Sequence, residues 1–242
     1  MTYMRWAGVA ALALLAAGQA RSDVTGGEIR LGYGRVLDET ASGDTPSALS
    51  LEGAMVFEMT PDFSLQTDLT LDRYGILDGG WGGAVHAFWR APAALNVGAF
   101  AGYEAIEDAD VTFWGIEAAA ERGLWSGEAQ AMRVSERDDA ASGTVLALEA
   151  AYAATSDLSL GGKLAGASLD GGAEIRRAGL TAAYRIGGTG TLTGEIGHSE
   201  TALAGAGASE GAYLGLEARF DFGPGQGAVF GRRGLGALIP GL

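Results

Sequence analysis

The chain has 242 residues, of which 48% are hydrophobic and 41 are glycine, and it carries a formal net charge of −14 without a single cysteine. This acidic balance argues against a nucleic-acid partner, because phosphate binding needs a surplus of Lys and Arg. The missing cysteines exclude a disulfide scaffold and most zinc sites, and the glycines follow no Gly-X-Y period, which excludes collagen.

The first twenty residues have the three parts of a secretory signal. Arg5 gives a basic start, an uninterrupted apolar run extends from Trp6 to Ala17, and Gly18 and Ala20 put small residues before a cleavage site. An apolar run of this length is too short to span a bilayer as a helix. We therefore predict a cleaved signal peptide over residues 1–20 and export of the mature chain.

A short phrase ending in glutamate recurs about every 32 residues along the mature chain. The clearest copies are Leu49–Glu52, Trp114–Glu117, Leu146–Glu149 and Leu214–Glu217. Around them apolar and polar residues alternate, which is the periodicity of a strand with two different faces. Each repeat is predicted to contain two strands and two connections, and together the repeats predict twelve strands.

The connections between these strands alternate between short turns and longer polar loops. Residues 60–62 are typical of the turns, and residues 38–47 and 200–210 are typical of the loops. Long strands with this alternation indicate a transmembrane barrel of the bacterial outer membrane, whereas the alternative, a soluble β-sandwich, has shorter strands. The sequence predicts an all-β, antiparallel up-and-down barrel of about twelve strands over residues 21–222.

Strand parity assigns one face of each strand to the barrel interior, and acidic residues outnumber basic ones on that face. The predicted pore-lining residues are Glu52, Asp68, His86, Glu117, Glu128, Glu149, Lys163, Arg185, Glu195, Glu217 and Arg219. A low-dielectric wall focuses their field and raises the local cation concentration. Small inward residues, including Gly98, Gly115 and Ala151, predict room for water. We expect a narrow, cation-preferring pore, and a barrel filled by paired charges is the alternative.

The opening segment Ile29–Gly34, the Gly- and Glu-bearing hairpin repeats and the closing segment Tyr213–Phe220 resemble small Gram-negative porins of the α-proteobacterial type. The resemblance extends over the whole mature chain but rests on motifs shared by a class. It implies an outer-membrane channel for passive diffusion of small hydrophilic solutes or ions, surrounded by lipid and lipopolysaccharide. It also implies recognition of the last strand by the barrel-assembly machinery, and it leaves the oligomeric state open. Such proteins usually end on an aromatic residue, whereas this chain continues to Leu242.

Two sequence features bear on catalysis. Residues 207–211 match G-x-S-x-G, but that motif needs a strand-to-helix elbow, and a loop is predicted here. His198 and Ser199 are neighbours on one strand and point to opposite faces, so they cannot pair directly. No enzyme activity, catalytic residue, cofactor or metal site is predicted. The alternative functions are a non-conducting structural or adhesive barrel and an outer-membrane lipid-modifying enzyme.

Residues 223–242 follow the last predicted strand and include Arg232 and Arg233. Three arrangements are open: a position at the periplasmic mouth, docking in the lumen through the two arginines, or a flexible end. Chain ends are commonly flexible, so a flexible periplasmic tail is the favoured expectation. Docking would instead place two positive charges in a negative lumen and could gate it.

Overall fold

The computed structural model describes residues 23–38, 47–75, 79–92, 94–106, 109–136, 142–203, 207–224 and 227–239. These residues form twelve strands and one 3-10 turn, Gly236–Leu238. The strands are β1 (Asp23–Val36), β2 (Ser47–Thr60), β3 (Phe63–Tyr74), β4 (Gly80–Ala91), β5 (Leu95–Ile106), β6 (Ala109–Arg122), β7 (Trp125–Glu136), β8 (Gly143–Ala153), β9 (Leu158–Leu169), β10 (Glu174–Ile186), β11 (Gly190–Leu203) and β12 (Gly207–Phe222). The predicted signal peptide lies outside the described residues. Within the described residues, no helix is long and apolar enough to cross a membrane.

The twelve strands form one closed barrel. Each strand pairs antiparallel with its neighbours in sequence, and β1 closes the ring against β12. The closing register runs from Gly27 opposite Phe222 to Val36 opposite Tyr213. Closure leaves no strand edge unpaired. The prediction of an all-β, antiparallel up-and-down barrel of twelve strands is confirmed.

The two faces of the strands differ as the alternation predicts. Leu69 and Leu148 stand on the outer face with 53% and 50% of their surface exposed, whereas Gln66 and Glu117 are buried on the inner face. Closure of the barrel pairs the backbone groups of each strand with its neighbours, and the apolar exterior suits a hydrocarbon environment, so both requirements of a bilayer are met. The outer surface is therefore a lipid-facing band, and the interior holds the polar chemistry.

A charged residue in this outer band is expected to impair folding into a bilayer. Leu148→Arg places a guanidinium near the middle of β8, and such a change on the lipid face costs about 2–4 kcal/mol at the bilayer midplane. Ala151→Arg is the matched control, because Ala151 lies on the same strand and lines an interior cavity. Urea titration of folding into lipid vesicles should show a clear loss for Leu148→Arg and little for Ala151→Arg. Equal losses would contradict this assignment of faces.

The strands extend further toward one rim than the sequence predicts. β11 continues to Leu203 and β12 begins at Gly207, so most of the predicted loop 200–210 is paired strand. Gly and Ala are weak strand formers, but the ladder of backbone hydrogen bonds between neighbouring strands continues through them. The expectation that the G-x-S-x-G match lies in a loop is therefore wrong, because residues 207–211 belong to β12.

Candidate functional site in the lumen

The chain turns back into the barrel after its last strand. Gly223, with a φ of +91°, follows β12 at the short-turn end, where glycine tolerates this conformation. The tail segment, residues 227–239, then runs up the inner wall. Ala228 donates its N–H to Glu28 near the start of β1 (3.0 Å), and Leu238 packs near the long-loop end. The described tail residues thus lie in the lumen, and the favoured expectation of a flexible periplasmic tail is corrected to the docked arrangement.

Gln66 on β3 holds the lower part of the tail segment by its backbone. Its Oε1 accepts the N–H groups of Val229 (2.8 Å) and Phe230 (3.2 Å), and its Nε2 donates to the carbonyl of Phe230 (2.8 Å). The Phe230 ring stacks on His86, with centroids 5.8 Å apart, and meets Phe88 edge-on at 5.2 Å. Since Gln66 and Phe230 are fully buried, these contacts satisfy polar groups that water cannot reach.

Arg232 occupies a first carboxylate site on the wall. Its guanidinium donates to both oxygens of Asp72, at 2.9 and 2.5 Å, and reaches Glu52 at 3.5 Å. The Arg232 side chain is only 6% exposed. A guanidinium stays charged and its planar fork fits a carboxylate with two parallel bonds. The acidic inner face predicted from parity is therefore met by a cation from the same chain.

Arg233 occupies a second carboxylate site on the neighbouring wall. It donates to Glu117 at 2.7 Å and to Glu128 at 2.6 Å. Its guanidinium lies 5.1 Å from the centre of the Phe100 ring and 5.7 Å from that of Phe230, within the range of cation–π attraction. The side chain is 2% exposed. Charge pairing and aromatic packing together desolvate and fix this arginine.

A tight turn follows the two arginines. Gly234 has a φ of +95°, and a Cβ atom there would collide with the carboxylate of Glu104. The same carboxylate accepts the N–H of Leu235 (2.6 Å) and the N–H of Gly236 (3.3 Å). Only glycine meets both the backbone and the space requirement at this position. The sequence identifies the two arginines of the tail as candidates for docking, but it does not predict this turn.

The upper end of the tail segment is held by apolar packing and by Arg177 on β10. Leu238 belongs to a buried cluster with Val134 and Val145. Arg177 donates to the carbonyls of Ala237 (3.2 Å) and Ile239 (2.9 Å). The tail segment therefore contacts the inner wall from Ala228 near the short-turn end to Ile239 near the long-loop end.

Arg177 also belongs to a buried polar cluster that the sequence prediction misses. It donates to Glu195 (2.8 Å) and to the hydroxyl oxygen of Tyr213 (2.9 Å), which itself donates to Glu195 (2.5 Å). A Cβ at Gly197 would collide with the Tyr213 hydroxyl, so the glycine makes room for this ring. The available signal was parity, because Arg177 lies an even number of positions from the predicted pore-lining residue Arg185.

The predicted pore-lining residues fall into three groups. Those that line the remaining cavity are Glu128, Glu149, Lys163, Glu217 and Arg219. Those that contact the tail segment, or contact a residue that holds it, are Glu52, Asp68, His86, Glu117 and Glu195. Glu128 belongs to both groups, because it also accepts from Gly231 and Arg233. Arg185 shares its face of β10 with Thr181 and Ala183 and is exposed near the short-turn end.

His86 links two of these acidic residues beneath the tail. Its Nε2 lies 2.8 Å from Asp68, and its Nδ1 lies 2.9 Å from Glu117. The imidazole is fully buried. Since Glu117 also receives Arg233, the histidine and the tail arginine share one carboxylate.

Small inward residues are filled in part by neighbouring side chains. A Cβ at Gly115 would lie 2.7 Å from the Phe100 ring, and a Cβ at Gly98 would lie 2.9 Å from Phe88. Gly115 therefore admits the Phe100 ring, and Gly98 admits the Cβ of Phe88 and the Glu117 carboxylate, so neither position leaves the room for water that the sequence predicts. Ala151 does line open space, as predicted.

The tail leaves space beside it. A cavity of about 800 Å³ occupies the short-turn half of the lumen. Above it, against β7 to β10, a smaller cavity of about 110 Å³ reaches Arg177. Both share Glu128, Glu149 and Lys163 on their walls. The space left beside the docked tail is therefore polar, and it is larger in the short-turn half of the lumen than above it.

The histidine considered for catalysis faces small residues. In the barrel register His198 lies opposite Ala178 on β10 and Ala212 on β12. Its ring is 58% exposed, and its Nε2 lies 3.9 Å from Glu210. No hydroxyl stands directly across either strand from it, which disfavours a His–Ser pair.

Comparison with known proteins places the barrel among outer-membrane channels. No family model and no curated protein sequence matches the chain. Among solved structures, the barrel is similar to the KdgM porin (TM-score 0.57, 11% identity, 81% of this chain and 99% of that chain). It is also similar to an outer membrane channel from Pseudomonas putida F1 (TM-score 0.59, 15% identity, 82% and 95%) and to the CymD monoaromatic hydrocarbon channel (TM-score 0.57, 8% identity, 88% and 92%). The chain has the fold of outer-membrane porin-like channels. At these identities the likeness concerns the fold alone.

Proposed function

We propose that this protein is a porin-like channel of the bacterial outer membrane for passive diffusion of small hydrophilic solutes, with a preference for cations. The observation that carries the proposal is a polar cavity of about 800 Å³ inside a closed barrel with a lipid-facing exterior. The fold shared with the KdgM porin and the CymD channel supports it. Export by residues 1–20, contact with lipid and lipopolysaccharide, and recognition of β12 by the barrel-assembly machinery are parts of this proposal.

The docked tail makes the passage narrow and its lining mixed in charge. Lys163 lies 3.7 Å from Glu149 and 3.6 Å from Glu195, and the tail arginines stand among further carboxylates. Cations are favoured where rings of acidic residues dominate a pore. The preference is therefore expected to be weak while the tail is docked and stronger when its arginines leave the wall.

Recording of the refolded full-length protein in planar bilayers tests the channel proposal. We expect a small, steady conductance with a reversal potential on the cation-selective side. Heat-dependent mobility on a denaturing gel should first show that the barrel is closed. An anion-selective reversal potential, or no current from a closed barrel even after the contacts of the tail are removed, would contradict the proposal.

A non-conducting structural barrel is the second candidate, and the occupied lumen favours it. The tail segment occupies part of the interior and is held there by buried contacts at Gln66, Glu104 and Glu117. If the barrel stays electrically silent even after the contacts of the tail are removed, this candidate replaces the channel.

A further inference from the structure

The tail segment is held in the lumen as a ligand is held in a binding site. It adds no strand to the barrel, since the ring is complete between β1 and β12. Within its described residues, the regular secondary structure is a single 3-10 turn, Gly236–Leu238. Its position therefore depends on contacts with side chains of the wall.

The wall recognises the peptide backbone of the tail at three heights. Gln66 binds the N–H and C=O groups of Phe230. Glu128 accepts the N–H of Gly231 (3.1 Å), and Glu104 accepts the N–H groups that follow Gly234. Main-chain N–H and C=O groups occur along every peptide, so these bonds do not depend on which side chains the peptide carries.

The wall recognises side chains at two adjacent positions. Asp72 and Glu52 receive the guanidinium of Arg232. Glu117 and Glu128 receive that of Arg233, which also lies over Phe100. Paired carboxylates with an aromatic face are matched to a planar, weakly hydrated guanidinium better than to an ammonium.

We propose that the lumen is a binding site for linear peptides with two adjacent arginines, and that the tail segment is its resident occupant. The acidic wall is complementary in charge to such peptides. That they are also solutes of the channel rests on the proposed channel function. Binding itself rests only on the interior wall. Because the tail is tethered to the barrel, its effective concentration at the site is high. An added peptide therefore competes best when the contacts of the tail with the wall have been weakened.

Peptide binding to the full-length Arg232→Gln/Arg233→Gln protein tests this inference. The probe is a synthetic peptide of residues 227–239 with a fluorophore at its N-terminus, and the measurement is anisotropy in detergent micelles. We expect saturable binding that weakens by about tenfold or more when both arginines of the peptide are glutamine. Lysine at both positions should also weaken binding, because it loses the bidentate geometry.

A peptide with alanine in place of Gly234 is the matched control for charge. It keeps both arginines but cannot form the turn against Glu104, so its affinity should also fall about tenfold or more if the whole site is recognised. Equal binding of all the peptides would overturn the proposal, because binding would then depend neither on the guanidinium groups nor on the turn at Gly234. On the protein, Asp72→Asn should weaken binding, whereas Glu174→Gln on the outer rim should not.

The result separates this inference from the channel proposal. Saturable, arginine-dependent binding to a barrel that passes no current would support the peptide site and contradict the channel. A conducting barrel without arginine-dependent binding would do the reverse. Heat-dependent gel mobility of each variant shows that the closed barrel is present, and the unmodified protein, whose tail is intact, should bind the peptide more weakly than the double variant.

Discussion

Replacing Arg232 and Arg233 by glutamine in the full-length chain is expected to raise the single-channel conductance several-fold and to shift the reversal potential further toward cations. The two arginines are the only ion-pairing groups in the described tail residues, and both are almost fully buried against carboxylates. Hydrogen bonds to charged groups contribute about 1.5–3 kcal/mol each. Loss of both pairs should release the tail segment and add its volume to the cavity of the lumen.

The shift in selectivity follows from the charges that remain. Without the arginines, Asp72, Glu104 and Glu117 face the lumen without their tail partners, and the acidic wall attracts cations. Arg176→Gln is the control, because its guanidinium is 69% exposed on the rim and pairs with Glu174 (2.9 Å). Planar-bilayer recordings should show the control unchanged. A double variant with wild-type conductance and wild-type reversal potential would mean that the tail does not obstruct the passage.

The barrel could be predicted from sequence because its signals are local. Whether Glu52, Glu149 or Glu217 points inward depends on period-2 alternation within one strand. The count of twelve strands follows from the repeat, and antiparallel neighbours follow from connections too short for a crossover. The extent of β11 and β12 was missed, since their Gly- and Ala-rich ends resemble a loop until the pairing between the strands is seen.

The docked tail could not be predicted in the same way because its partners are distant in sequence. Gln66 and Val229 are 163 positions apart, and nothing near either residue indicates the other. The acidic inner face and the pair Arg232 and Arg233 made docking one of three alternatives. The choice among them depends on Gly234 and Glu104, whose fit appears only in three dimensions. Strand parity could predict that Arg177 points inward, but it could not predict that Arg177 holds the end of the tail.

Glu117→Gln is expected to release the tail segment with the largest effect of any single substitution in the wall. Glu117 is fully buried and lies between Arg233 and His86. Removing one partner of a buried ion pair costs about 3–5 kcal/mol. Because Glu128 still accepts from Arg233, we expect the lower end, about 3 kcal/mol, which is roughly a hundredfold shift toward the undocked tail.

A single engineered cysteine can report this shift, because the chain has none of its own. Leu238→Cys lies in a buried cluster while the tail is docked, so its reaction with a membrane-impermeant maleimide measures the undocked fraction. On this background Glu117→Gln should react much faster. Glu149→Gln should change the rate little, because Glu149 also lines the lumen but pairs with Lys163.

A double-mutant cycle decides whether the effect acts through Arg233. Glutamine at Glu117 leaves a buried guanidinium short of one partner, but in a chain that already carries Arg233→Gln there is no such cation, and the added cost should be much smaller. Residues in direct contact show coupling energies of about 0.5–3 kcal/mol, and a buried charge pair belongs at the upper end of that range. If the two substitutions instead add independently in labelling rate, Glu117 supports the tail through His86 and the barrel wall. The arginine site would then be a consequence of docking rather than its cause.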